Sequence, residues 1–406
     1  MIIFIQESDM SEAYEIRVCM DIGSASHQVA IGLSTGEILE EFDIAHTPQD
    51  IKLFFNKIET HKKYHQLPVV VAMESYNGHA RPIDKYVLNK GYRLININNH
   101  KLAQFKKVFP GASKSDVVDT RKMFELFTLQ DHLPLAKNAL QEVAPIPEVN
   151  EKLKRISRRR RLLVNEKVRI LNRFQSDLNA ISPGFLEVTG SADNLWFLRF
   201  ITSRDDITQL ARMHYSSLKK IKGLGDKYAL KIKAWQENAE FAVDAEWVGE
   251  MIIRDAKRIL ELIGEISDLE KRIELISSES EIVNRLKTIS GFGTVCTAEL
   301  AGEIGALERF ESEASLALYL GMAVLDNSSG KYVGTKGSKH VNYSAKAAMM
   351  TAVAIHIRNS EQSKKYYDKK RNEGKKHNQA VRSLGRHMVR VIWSMLKNNR
   401  DYNAEK

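Results

Sequence analysis

The stretch Arg17-Val-Cys-Met-Asp21-Ile-Gly23-Ser-Ala-Ser-His-Gln-Val29-Ala-Ile31 decides how the chain is read. An apolar run ends in Asp21, a Gly-Ser turn follows, and a second apolar run begins. The pattern predicts a β-hairpin. It sets one carboxylate at the end of a buried strand beside a tight turn, where an acid can hold a metal over a phosphate. The partners of Asp21 must come from farther along the chain.

Short β-rich runs at Val18–Asp21, Val29–Leu33 and Ile38–Ile44 predict a three-stranded meander. Pro48–Thr60 has helical spacing through Ile51, Phe54, Phe55 and Ile58. Pro68–Glu74 is a continuous apolar run ending in an acid, which suits a central strand covered on both faces. A helix over His79–Lys90, a strand over Tyr92–Ile97 and a helix over Ser113–Leu129 follow, with Ser113 or Ser115 as N-cap. The order β-β-β-α-β-α-β-α is that of a ribonuclease H-like sheet. There the first and fourth strands are neighbours, so Asp21 and Glu74 end side by side. Asp116 and Asp119, at i and i+3, share one helix face. Four carboxylates suit two hard cations, which stabilise the attacking and leaving oxygens of phosphodiester cleavage. The same Asp-x-Gly hairpin also opens the actin-like kinases. Those need a second Gly-rich phosphate loop, and the glycines at 321, 330, 334 and 337 follow no clear strand ending in an acid.

A chain of 406 residues is too long for one ordinary core, and two or three domains are expected. Its 43% hydrophobic and 28% charged content fits a soluble globular protein. No apolar run is long enough to span a membrane, and Ile2–Ile5 is too short for a signal-peptide core. Cys19 and Cys296 are the only cysteines, which argues against a disulfide framework or a zinc site and fits a reducing cytoplasm. The net charge of +10 points to a polyanion. Two segments concentrate it: residues 151–173 hold ten Lys/Arg against two Glu, and residues 363–400 hold twelve against two acids. Two such blocks flanking a carboxylate-bearing domain indicate nucleic acid.

A Pro-containing connector from Pro134 to Pro147 marks a domain boundary. The helical pattern beyond Val149 carries Arg158, Arg159, Arg160 and Arg161, a tract that can lie along a phosphate backbone. Residues 183–245 read as compact helices with Trp196, Phe197, Phe200, Leu210 and Trp235 in their core. Ile221-Lys-Gly-Leu-Gly225 and Ile289-Ser-Gly-Phe-Gly293 echo one another as helix-hairpin-helix turns, whose glycines let backbone N–H groups approach a phosphate. Between them Ile252, Ile259, Ile266 and Ile273 recur every seven residues, with Leu262, Leu269 and Ile276 at d and Asp255 interrupting the start. Such a seam favours a parallel dimer, the alternative being a helical hairpin within one chain; self-association is expected. The last region begins near Thr288. Its stretch Asp326–His340 is rich in Gly, Ser and Lys and reads as a mobile basic loop in which Lys331, Lys336 and Lys339 can stabilise phosphate charge. The expected class is α/β plus α. Residues 1–146 form a RuvC/ribonuclease H-like domain, 147–286 a helical basic and coiled-coil region, and 287–406 a mainly α C-terminal domain.

The C-terminal motifs carry a resemblance: Thr288-Ile-Ser-Gly-Phe-Gly293, Phe310, Tyr319-Leu-Gly321, Ser329-Gly-Lys331 and Gly337. So do Asp21-Ile-Gly23, Ala72-Met-Glu74-Ser and Ser113-Lys-Ser-Asp116-x-x-Asp119 at the N-terminal end. Together they resemble the DEDD transposases of insertion sequences, bridge-RNA-guided recombinases related to the pilin-gene invertases. The resemblance covers nearly the whole chain. It implies magnesium (Mg2+) held by Asp21, Glu74, Asp116 and Asp119, and a nucleophilic Ser329 that forms a covalent phosphoserine link with DNA. It implies donor and target DNA paired by a guide RNA, and a homo-oligomer, dimer or tetramer, in which two half-sites can come from different protomers. A bacterial cytoplasmic, nucleoid-associated location follows. Ser328 adjoins Ser329 as an alternative nucleophile. The family often has Leu-Arg where this chain has Ala345-Lys346, leaving Lys346, Arg382 or Arg386 to supply a phosphate contact. The competing function is a metal-dependent Holliday-junction-type nuclease, which needs the four acids and no serine. A non-enzymatic scaffold needs neither.

Overall fold

The computed structural model describes residues 14–74, 81–108, 115–129, 139–338 and 341–403. Two compact units emerge, Met1–Pro145 and Ile146–Lys406.

The first unit is built on β1 (Ile16–Ile22), β2 (Ser26–Leu33), β3 (Ile38–Ala45), α1 (Pro48–His65), β4 (Val69–Glu74), α2 (Arg81–Asn89), β5 (Arg93–Ile97), α3 (Asn99–Val108), α4 (Asp116–Leu129) and β6 (Leu140–Glu142). The sheet order is β3-β2-β1-β4-β5-β6. β1 to β3 form the expected antiparallel meander, β4 joins β1 in parallel, and β5 joins β4 in parallel. β6 closes the far edge antiparallel to β5 and was not foreseen. Neither was α3.

Side chains alternate across this sheet with a period of two. Ile16, Val18, Met20, Val69, Val71 and Met73 face one core with Phe54 of α1 and Val87 of α2. Cys19, Val70 and Ala72 face the other with Leu102 of α3 and Met123, Phe124 and Phe127 of α4. β4 is apolar from Val69 to Met73 because both its faces are covered. One glycine is required by close approach. A Cβ on Gly32 of β2 would stand 2.5 Å from the Phe124 ring and 2.2 Å from the Glu37 carbonyl oxygen. Its absence lets α4 lie down on the sheet.

The strand that opens the fold also buries a charge. Arg17 is fully buried. Its Nε donates to Glu15 at 2.9 Å, and its guanidinium lies 4.6 Å from the centre of the Phe127 ring. Burying an arginine is tolerable only with such partners.

The second unit starts with α5 (Glu148–Ile181), followed by short helices α6 (Leu195–Ile201), α7 (Tyr215–Leu218) and α8 (Asp226–Glu237) and by the long α9 (Ala245–Ser277). Trp196, Phe197, Phe200 and Leu210 are buried in this part, and Trp235 stacks on Phe185 at 4.0 Å, as core residues should. Then come α10 (Glu281–Leu286), α11 (Thr294–Ile304), α12 (Glu313–Tyr319), β7 (Val324–Asp326), β8 (Thr335–Gly337), α13 (Tyr343–Asn359), α14 (Glu361–Asn372) and α15 (His377–Lys397).

The heptad seam of α9 corrects an expectation. It is closed within the chain by α5, not left for a parallel partner. Leu153 packs with Ile273, Leu163 with Leu262 and Ile266, and Phe174 with Ile252 and Ile259. The descending pairing makes the two helices antiparallel. Asp255, the flaw in the heptads, is the carboxylate that receives Arg173 of α5, with Nε to Oδ2 at 2.7 Å. The α5–α9 hairpin and the C-terminal helices share one unit because α11 packs on α5. At Gly302 a Cβ would stand 2.4 Å from the backbone nitrogen of Lys154.

Candidate active site

Parallel register builds the first half of the site. Met20 of β1 pairs with Met73 of β4, so the next residues, Asp21 and Glu74, emerge side by side at the ends of adjacent strands. α4 begins at Asp116, with the Ser115 hydroxyl accepting from the Val118 N–H at 3.3 Å as N-cap. Its first turn carries Asp116 and Asp119, the acidic end favoured by the helix dipole. Both act electrostatically on Asp21, and Asp119 also acts on Glu74. Register and the seating of α4 therefore bring the four predicted acids to one edge of the sheet. Ser113, the alternative N-cap, lies outside the described residues.

Burial pushes the carboxyls of Asp21 and Glu74 up from their ordinary values. Neighbouring acids add to the shift, and Lys106 opposes it. Lys106 of α3 is the residue the sequence reading missed. Its Nζ lies 3.1 Å from Asp119 Oδ2 and 3.5 Å from Glu74 Oε2. A lysine on an unforeseen helix gave no signal beyond its charge. Among the described residues no three or more His, Cys, Asp or Glu side chains are arranged as a ready-made cation cage. Carboxylate oxygens are the donors a hard divalent cation requires, and two of these four acids are desolvated. The ammonium of Lys106 holds two of these acids together as a cation would.

Ser329 lies in the second unit, where the expected loop is instead a β-hairpin. β7 and β8 pair Val324 with Gly337 and Asp326 with Thr335. Beyond them Ser329 and Tyr332 exchange backbone hydrogen bonds at 3.0 Å, closing a turn over Gly330 and Lys331. Gly330 takes φ +57°, a left-handed value that glycine adopts without strain. Ser328, Ser329, Lys331 and Lys336 are exposed, and among the described residues the Ser329 hydroxyl has no hydrogen-bond partner. Lys339 lies outside the described residues.

The arginine tract on α5 is largely engaged inside the chain. Arg158 donates to both oxygens of Glu303 at 2.6 and 2.9 Å, and Arg161 to both oxygens of Glu299 at 2.5 Å. Both glutamates, on α11, are buried. Arg160 reaches Glu270 of α9 at 2.6 Å. Arg159 is exposed, with no ion-pair partner among the described residues. Glu303 also accepts from Asn342 Nδ2 at 2.7 Å, and the Asn342 side chain caps α13.

The two glycine turns share their backbone. Gly223 and Gly291 have φ +88° and +86°, and Gly225 and Gly293 are the N-caps of α8 and α11. Their surroundings differ. Around Gly223 the nearest atoms are side-chain atoms 3.7 Å away, whereas a Cβ on Gly291 would meet the His356 backbone at 2.7 Å. The second turn is a packing joint against α13.

Comparison with known proteins agrees with both halves. Residues 18–183 match a DEDD transposase domain of the IS110 type, and residues 283–368 match the family described as Transposase IS116/IS110/IS902. An uncharacterized 42 kDa protein of insertion element IS900 from Mycobacterium paratuberculosis is 31% identical over 155 residues, 38% of this chain and 39% of that protein. An uncharacterized 44.8 kDa protein of IS116 from Streptomyces clavuligerus is 22% identical over 76% of this chain and 78% of its own length. A 43.6 kDa IS110 protein from Streptomyces coelicolor is 30% identical over 29% of each chain. No described helix is long and apolar enough to cross a membrane. With its acids gathered at one sheet edge and its serine hairpin in the matching C-terminal segment, the chain carries the two segments that match transposase domains of the IS110/IS116 type.

Proposed function

We propose that this protein cleaves and rejoins DNA through a covalent phosphoserine intermediate, using a ribonuclease H-like domain whose four acids hold magnesium. The observation that carries the reading is the β1–β4 register, which sets Asp21 beside Glu74 at the edge reached by Asp116 and Asp119. A bound divalent cation there supplies charge neutralisation for a phosphodiester under attack. Asp21 and Glu74 would hold it from the ends of adjacent strands. Asp116 and Asp119 complete the set from the first turn of α4.

Ser329 Oγ attacks the phosphorus, one P–O bond forms and one breaks, and the released sugar oxygen takes up the proton that the serine gives up. A hydroxyl from a second strand reverses the exchange, so rejoining needs no external energy. Exposure of Ser329 on a tight turn leaves it open to a polymer substrate, and Lys331 and Lys336 in the same hairpin add positive charge. Guidance by an RNA and assembly of two or four copies belong to the same proposal. They rest on the resemblance of the two motif sets, since the seam of α9 is already occupied by α5.

The test mixes protein, guide RNA, magnesium and labelled DNA from the element's ends, then denatures. A protein–DNA adduct lost in Ser329→Ala, kept in Ser328→Ala and lost in Asp21→Asn supports the proposal. Cleaved DNA with no adduct, unaffected by Ser329→Ala, sinks the serine mechanism in favour of a metal-only nuclease. Intact DNA with every form, wild type included, leaves only a scaffold.

A further inference from the structure

A second positively charged feature lies on α15. A cleft of about 670 Å³ is walled by α15 and Lys375 on one side and by Val324 of β7 and Thr335 of β8 on another. Gln379, Arg382, Arg386 and Arg390 recur at intervals of three and four along α15 and so form one stripe facing it. His387 joins them.

Some of this charge is met within the chain. Arg386 is paired with Glu313 of α12, and Lys375 lies 3.4 Å from Glu373. Arg382 and Arg390 have no ion-pair partner among the described residues, and Arg382 Nε is buried with no hydrogen-bond partner among them. A buried guanidinium donor left unmatched is costly, and such groups are normally satisfied by a ligand where the protein offers none. The crowding has a visible consequence: burial, Arg390, Arg386 and Lys370 together hold the His387 imidazole below its usual pKa. The charge of the cleft therefore suits an anion. Arginine forks match the paired oxygens of a phosphate.

The opposite wall indicates which phosphate. Ser329 is five residues beyond Val324 and six before Thr335, both of which line the cleft. Five residues of extended chain span at most roughly 17 Å, equal to about five nucleotides of rise along one strand of duplex DNA.

We propose that this cleft binds the DNA phosphate backbone within about five nucleotides of the bond attacked by Ser329, with Arg382 and Arg390 as the phosphate ligands. The placement rests on the reading of Ser329 as nucleophile; the anion site does not.

The experiment measures binding of labelled element-end duplex to the full chain without magnesium by fluorescence anisotropy, over a series of salt concentrations. Arg382→Gln and Arg390→Gln should each weaken binding about tenfold and lower the salt slope by about one, the signature of one lost phosphate contact. Lys257→Gln, an exposed lysine on α9, should change neither. Because Arg390 is exposed, its substitution keeps the test valid if Arg382→Gln folds poorly. Methylphosphonates placed one at a time should weaken the wild type at one or two positions within about five nucleotides of the scissile bond, and Arg382→Gln should be indifferent to one of them. Unchanged slopes in both variants, sensitive positions far from that bond, or loss of affinity for RNA only would overturn the proposal. An adduct insensitive to Ser329→Ala with slopes still lowered identifies the other failure. The nucleophile reading is then wrong, and the placement falls with it.

Discussion

Helices α5 and α15 both carry positive charge that supports the proposed nucleic-acid partner, and they use it in opposite ways. On α5, Arg158, Arg160 and Arg161 are matched by Glu303, Glu270 and Glu299, two of these acids buried on α11. On α15, Arg382 and Arg390 face a cleft with no carboxylate partner among the described residues. Arg158, Arg160 and Arg161 of α5 are mortar between helices of one unit, and Arg382 and Arg390 of α15 are available for a ligand. Counting charge along a sequence does not separate the two, because the difference lies in what another helix sets opposite.

The largest effect expected from this contrast is on folding. Arg161→Ala leaves Glu299 buried without its partner and should cost on the order of 3 kcal/mol. For a unit of this size that lowers the melting temperature by roughly 6–12 °C. Arg382→Gln should leave the melting temperature unchanged or raised, since it removes an unmatched buried donor. Equal losses in the two variants, measured by calorimetry, would erase the distinction between the helices.

Binding should show the reverse order. The double variant Arg382→Gln/Arg390→Gln should lower the slope of DNA affinity against salt by about two, and Arg159→Gln by at most about one. Arg159 is the member of the α5 tract left without an ion-pair partner among the described residues, so a larger effect there would return the interface to α5.

A smaller and more local signal comes from His387. Burial and the cations around it favour the neutral ring, so its folded pKa lies below its unfolded one. The folded state then binds fewer protons in the window below about 6.5. Stability is lost as the pH falls through that window, reaching its full cost below the folded pKa. NMR titration should place the His387 midpoint below the free-imidazole value, and Arg390→Gln should move it upward. DNA binding should do the same.

The smallest predicted effect concerns Lys106, a third cation placed between acids. Lys106→Gln removes the ammonium that holds Glu74 and Asp119 together. Stabilisation by added magnesium, read as a rise in melting temperature, should be a few degrees larger in the variant, because the cation then relieves repulsion that Lys106 relieves in the wild type. An unchanged or smaller rise would show that the lysine does not share the cation's place.

Much of the first unit could be read before any coordinates. Alternation in β1 to β3, the two-sided apolar run of β4 and the turn after Asp21 are local patterns, and the register they imply places Asp21 beside Glu74. Asp116 and Asp119 were legible as a helix face. Arg17 and Lys106 were not, since nothing local distinguishes a buried arginine from a solvated one or tells which acids a lysine will meet. The heptads of α9 announced a buried seam, yet the pattern is the same whether the covering helix is a second copy or α5. The Ser329 segment lacked apolar periodicity because its hairpin is exposed on both sides, and a strand with no buried face leaves no hydrophobic signature.

The amino-acid sequence by itself determined which residues are candidates for the chemistry and the order in which they occur: the four acids, the serine before Gly330, and two blocks of positive charge. Only the tertiary structure decided which of those charges are already spoken for. Periodicity records that a face must leave water, whereas the partner that covers it, apolar or ionic, is chosen by long-range packing between segments as far apart as Arg158 and Glu303.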